Sequence, residues 1–181
     1  ADLLVLLDRP QAALAVLERA LRLAQSEQGD FDEAENTTLN HIQGEIHDRF
    51  TRLMIHAGDL PAALHHAEKS LSCNLSHAAL CYRAADLALA LLQNDRAGRI
   101  IKSFQVGEDG ALTALFRQGQ SGSDLLALQV EMALAGESDI PPFDWVEAGL
   151  RETPSSARLM AAKARLLARE GSLAAAREQY I

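Results

Sequence analysis

This sequence predicts an all-α protein built as an array of stacked helix pairs, and three observations carry that prediction. The 181 residues include 32 alanines and 30 leucines but only five Phe, two Tyr and one Trp. Ala and Leu favour helix, whereas the β-branched and aromatic residues that fill sheets are scarce. Between turn signals the apolar residues recur at three and four positions, and strand alternation is absent over any useful length. The turns and helix faces also repeat in phase, at a spacing of about 34 residues.

The elements follow in order. Asp8-Arg9-Pro10 opens a helix whose face carries Ala13, Leu14, Leu17, Ala20 and Leu21. A polar, acidic stretch at about 28–43 reads as an insertion that lengthens the next helix back toward Phe31. That helix presents Phe50, Leu53, Met54 and Ala57 and ends at Gly58-Asp59. Its partner presents Ala63, Ala67, Ser70 and Leu71. Leu80, Ala84, Leu87 and Leu91 mark the next helix, which turns at Asn94-Asp95 into one bearing Ala97 and Ile101. A second insertion, about 112–122, reads as a short helix from Ala111 to Gln118 followed by Gly119, Gly122 and serines. Leu126, Met132 and Ala133 belong to a helix that breaks between Gly136 and Pro142; Pro142 suits the first turn of the one after, which carries Trp145. A last pair runs from Ala157 through Gly171-Ser172 to Tyr180.

Advancing by one such period takes Leu53 to Leu87, Ala63 to Ala97 and Ala67 to Ile101. It also takes Leu126 to Met160, Met132 to Leu166 and Ala133 to Leu167. Two helices in a period of this length is the tetratricopeptide signature. Gly171-Ser172 with Leu173, Ala176 and Tyr180, and Pro154 just before this unit, closely resemble that repeat; Gly58-Asp59-Leu60 with Ala63 and Ala67 resembles it without the aromatic. The resemblance implies a right-handed αα-superhelix. It would have a partial unit at 1–27, repeats at about 44–77, 78–111, 123–156 and 157–181, and the two insertions between. Ala13, Ala63, Ala97 and Ala176 would let paired helices lie close, and Leu17, Leu64 and Ile101 would fill the space between pairs. Neither end carries the polar cap expected of a solenoid terminus, so the sequence reads as a slice of a longer chain, or as one whose open end a second copy could cover.

A net charge of −8 opposes binding to nucleic acid and to anionic membranes, and no apolar run is long enough to span a bilayer. The charge is uneven: Glu108 to Glu147 is acidic around a lone Arg117, and the sign reverses from Arg151 onward. Cys73 and Cys81 match no zinc or redox spacing and read as two buried thiols in a reducing, cytoplasmic setting, a periplasmic one remaining open. His41 and Glu45 share a helix face with His47 and Asp48 nearby, yet no third ligand stands in phase, so they read as surface polar residues and no metal or cofactor is expected. His65 and His66 point about 100° apart on a helix and do not readily share one ion. His56 suits a helix C-terminus. Phosphate loops, nucleophile elbows and zinc-protease motifs are missing, so no enzyme is expected.

In the tetratricopeptide family the first helix of each pair lines a concave groove. Carried over, that face includes Asp48, Arg52 and Ile55, then Tyr82, Asp86 and Leu89, then Asp124 and Glu131, then Arg158 and Arg165. The subclass that clamps a peptide C-terminal carboxylate uses Lys and Asn here; Asp48, Arg52, Tyr82 and Asp86 do not reproduce that clamp. Asp86 sits among apolar residues and is expected to be half-buried, paired with Arg52 or Arg83. Asp124 with Arg158 and Glu131 with Arg165 are each one period apart and should face one another as exposed ion pairs. The expected function is a bacterial, non-catalytic scaffold that docks a peptide or helix of a protein partner. The alternative is a regulatory or targeting arm of a larger enzyme or transcription regulator.

Overall fold

The computed structural model describes residues 9–26, 33–74, 77–104, 115, 117–136 and 143–178. Among these there are nine helices and no strand: α1 (Pro10–Ser26), α2 (Glu33–Ala57), α3 (Leu60–Cys73), α4 (Ala78–Ala90), α5 (Asn94–Ser103), α6 (Gln120–Leu134), α7 (Phe143–Glu152), α8 (Ala157–Arg169) and α9 (Leu173–Glu178). None of the described helices is long and apolar enough to cross a membrane. The short helix expected over Ala111–Gln118, the start at Pro142 and the anchor Tyr180 fall wholly or mostly outside the described residues. The lengthened helix expected after the first insertion is α2, 25 residues long from Glu33.

The described chain divides into two compact units, one within Ala1–Leu75 and Asp86–Gln93, the other within Ser76–Ala85 and Asn94–Ile181. In the first, α2 packs against both α1 and α3. Ala13, Leu17 and Ala24 of α1 meet Ile46, Phe50 and Leu53 of α2 in one buried cluster. The α2–α3 contact is closer. A Cβ added to Gly44 would lie 3.0 Å from Cys73 Cβ, and buried Ser70 donates to the Gly44 carbonyl at 2.8 Å. A bare glycine facing a serine lets the backbones approach, and the hydroxyl bonds the carbonyl that the approach exposes.

In the second unit α6 packs on α7 and α8, α7 packs on α8, and α8 on α9. Helix α6 is buried almost all round, from Leu125 and Leu126 through Leu128, Val130 and Met132, which is the pattern of a helix enclosed by neighbours. Val146 of α7 and Leu159, Ala162 and Ala164 of α8 complete this core. Gly122 permits the tightest approach, because a Cβ there would overlap the Leu115 carbonyl oxygen. Ser156 caps α8 by accepting from the Leu159 amide, and its hydroxyl also accepts from Gln120 of α6. The alanines spaced for close approach, Ala13, Ala63, Ala97 and Ala176, are all buried, as are Leu17, Leu64 and Ile101.

The helix reversals share one conformation. After α2, α4, α6 and α8 comes a residue with positive φ: Gly58 at 76°, Leu92 at 59°, Gly136 at 87° and Gly171 at 84°. At Gly58, Leu92 and Gly171 the next amide reaches back to a carbonyl five residues earlier, Asp59 to Met54, Gln93 to Ala88 and Ser172 to Leu167, each at 2.9 Å. This is the Schellman ending, which satisfies the last carbonyls of a helix and sharply redirects the chain. Gly58 and Leu92 are 34 residues apart, and Gly136 and Gly171 are 35 apart. Asp59 then caps α3 by accepting from the Ala62 amide at 3.0 Å.

Leu92 bears the steric penalty of a left-handed backbone while its side chain is 88% exposed. Leu92→Gly is therefore expected to stabilise the chain by about 0.5–1 kcal/mol, the relief of strain being partly offset by a more flexible unfolded state; a rise in the urea midpoint checks it. Gly122→Ala is expected to destabilise by about 1–3 kcal/mol, because the new methyl group meets the Leu115 backbone rather than a movable side chain. Thermal unfolding of that variant measures the loss.

Candidate functional site

The residues singled out for the groove fall in both units. In the first unit, Arg52 and Asp48 pair one turn apart on α2, Arg52 Nη2 lying 2.8 Å from Asp48 Oδ2. The carboxylate is largely covered and the guanidinium largely open. Arg52 thus turns to its own helix rather than to Asp86, as the repeat spacing had suggested. Asp86 lies at an exposed position on α4, yet its surroundings cover the carboxyl enough to push it above the ordinary value by desolvation. Ile55 stands 42% exposed near the end of α2, and Leu89 is half-buried.

In the second unit the expected α6–α8 register is met at one rung. Arg165 Nη1 of α8 lies 3.3 Å from Glu131 Oε1 of α6, one repeat period earlier in the chain. The other rung is not formed. Asp124 accepts from Gln120 Nε2 at 2.8 Å on its own helix, while Arg158 of α8 reaches Tyr82 of α4. There the guanidinium donates to the phenol oxygen and lies over the ring, 5.0 Å from its centroid. Tyr82 and Arg158 are 76 residues apart, and hydrogen bonding and cation–π attraction act together at their contact. Elsewhere on α8, Lys163 pairs with Glu147 of α7 at 3.0 Å and lies 5.5 Å from the Phe143 ring. One face of this unit therefore mixes an aromatic ring, two arginines and a carboxylate.

Sequence reasoning missed a second constellation, in the first unit. His47 of α2 and His66 of α3 meet across the helix pair with their Nδ1 atoms 3.0 Å apart. Phe50 stacks on His66, ring centroids 4.5 Å apart and planes 11° from parallel, and His65 sets its edge against His66 at 5.4 Å. His47 was read as a surface residue and is half-buried. The signal was present: in an antiparallel pair folded at Gly58, Gly44 faces Ser70, and one turn nearer the bend His47 faces His66. Burial, reinforced by the positive charge of His66, His65 and Lys69, lowers the His47 pKa to about 4. Burial, and then His65, also lowers that of His66. Both rings are thus neutral at pH 7, one Nδ1–H donating to the other Nδ1.

The exposed pair His41 and Glu45 stays on the surface of α2. Cys81 is fully buried on α4, its thiol pushed up to about 12 by burial and directed at the Ile100 carbonyl of α5. Cys73 is only half-buried, contrary to the expectation of two buried thiols, and neither cysteine is in a disulfide. Both thiols are held protonated by desolvation, which makes them poor nucleophiles.

No family model, no curated protein and no solved structure matches this chain.

The histidine pair makes stability depend on pH in a stated direction. The unfolded imidazoles take up protons near pH 6.5 and the folded His47 only near 4, so the unfolded state binds more protons between these values. Stability is fully present above about pH 7 and is lost as pH falls from about 6.5 toward 4. In chelator-treated protein, the urea midpoint should fall over that range, and the slope should flatten in His47→Gln.

Proposed function

We propose that this chain is a tetratricopeptide-like interaction scaffold that binds an extended peptide or helix of a protein partner, without catalysis. The supporting observation is the α6–α8 register. Two first helices of successive pairs lie side by side, with Glu131 and Arg165 in contact at the repeat spacing. The positive-φ reversals at Gly58, Leu92, Gly136 and Gly171 suit short turns between consecutive helices. In this reading the recognition face of the second unit is the strip bearing Tyr82, Arg158, Glu131 and Arg165.

That strip suits a peptide with acidic and apolar side chains. Arg158 and Arg165 offer planar donors for carboxylates, and Tyr82 offers a rigid ring with little rotamer entropy to lose. Arg165 remains half-open while held by Glu131, so a ligand carboxylate can compete for a guanidinium already in place. Taken by itself, the first unit offers an ion pair, Asp48 with Arg52, and an exposed apolar side chain, Ile55.

Peptides selected from a random display library against the immobilised chain test this reading. Arg165→Glu and Tyr82→Ala are each expected to weaken the selected peptides about tenfold or more, while His41→Ala, on the surface of α2, leaves binding unchanged. Peptides that bind all three variants equally, or a selection that enriches nothing, would overturn the assignment of this face.

A further inference from the structure

We propose that His47 and His66 form a two-imidazole site for a divalent transition-metal ion of the copper, nickel and zinc group, with water completing the coordination. The observation is the convergence of two ring nitrogens from different helices. Their Nδ1 atoms stand 3.0 Å apart, and the ring centroids 5.2 Å apart with planes 33° from parallel. Metal–imidazole bonds are about 2.0–2.1 Å long, so an ion touching both nitrogens without backbone movement subtends about 94° at the metal. That is the angle between neighbouring ligands in square-planar or octahedral centres, the geometry that Cu2+ and Ni2+ prefer. A tetrahedral Zn2+ ion would need the nitrogens about 3.3–3.4 Å apart, a small opening.

Without metal the two Nδ1 atoms point at each other in a hydrogen bond. To share an ion, each ring must swing about 40° around its Cβ–Cγ bond, a torsion with broad wells. The proton on the donating Nδ1 moves through solvent to Nε2 of the same ring, leaving both Nδ1 lone pairs for the metal and both imidazoles neutral. No net proton is released at neutral pH, because neither ring is charged there. The swing takes His66 out of its stack on Phe50, whose plane lies 11° from its own, so metal binding competes with that contact. Both histidines are half-buried, so an ion that binds there displaces part of its hydration shell. Lys69 lies close enough to His47 to disfavour positive charge there, which moderates affinity without removing the donor geometry.

The test uses untagged, chelator-treated protein titrated with Cu2+ in the presence of glycine as a weak competitor, followed by electron paramagnetic resonance of the adduct. The expected result is one equivalent bound with the nitrogen couplings of two imidazoles, and a rise in melting temperature with Cu2+ and Ni2+ but not with Mg2+. His47→Gln and His66→Gln should each weaken binding at least ~tenfold, whereas His41→Gln, His56→Gln and His65→Gln bind as the unaltered protein does. Circular dichroism establishes that the two ligand variants keep their helices. If one of them unfolds, the imidazole count in the unaltered protein decides instead. A spectrum with a single imidazole, affinity retained in His47→Gln and His66→Gln, or no metal-dependent rise in melting temperature would overturn the site.

Discussion

The tightest helix contacts in this chain form where a side chain is missing or small. An α-helix carries its side chains all round, and two backbones meet closely only if one offers a gap. Gly44 provides it between α2 and α3, where Ser70 fills the space and bonds the exposed carbonyl. Gly122 provides it against Leu115. Ala13, Ala63, Ala97 and Ala176, with a single methyl group each, are all buried. With few aromatic side chains, the core depends on this close approach, filled by leucines such as Leu64, Leu125 and Leu159.

Close approach also decides which polar groups meet. Helices α2 and α3 bring His47 and His66 within hydrogen-bond distance because their backbones touch one turn away, at Gly44 and Ser70. Once half-buried, the rings resist protonation, for the charged form would lose solvent and face its neighbours' charge. In the second unit the same closeness places Arg165 beside Glu131 and lets Arg158 reach Tyr82. The Glu131–Arg165 ion pair, whose guanidinium is half-open, contributes at most about 1 kcal/mol to stability.

Several features were legible in the residues. Gly58 and Gly171 announce their reversals because a left-handed helix ending favours a residue without Cβ. Ala63 and Ala97, 34 residues apart, are both buried, and the equal step from Glu131 to Arg165 anticipates that pairing. Other features were hidden for physical reasons. Leu92 occupies the same reversal without the glycine that would mark it. Asp124 and Arg158 keep the right spacing, yet each finds a nearer or better-shaped partner in Gln120 and Tyr82. Arg52 likewise prefers Asp48 on its own helix, an alignment that needs no second element to be in place.

By itself, the sequence determined that the chain is helical and where its glycine-marked turns fall, because propensity and capping act over a few residues. Only the tertiary structure decided which side chains meet: His47 with His66 across a helix pair, and Tyr82 with Arg158 over 76 residues of chain. Such meetings depend on crossing distance and on the reach of a side chain across it. Both are set by packing of whole helices, and no local stretch of residues encodes them.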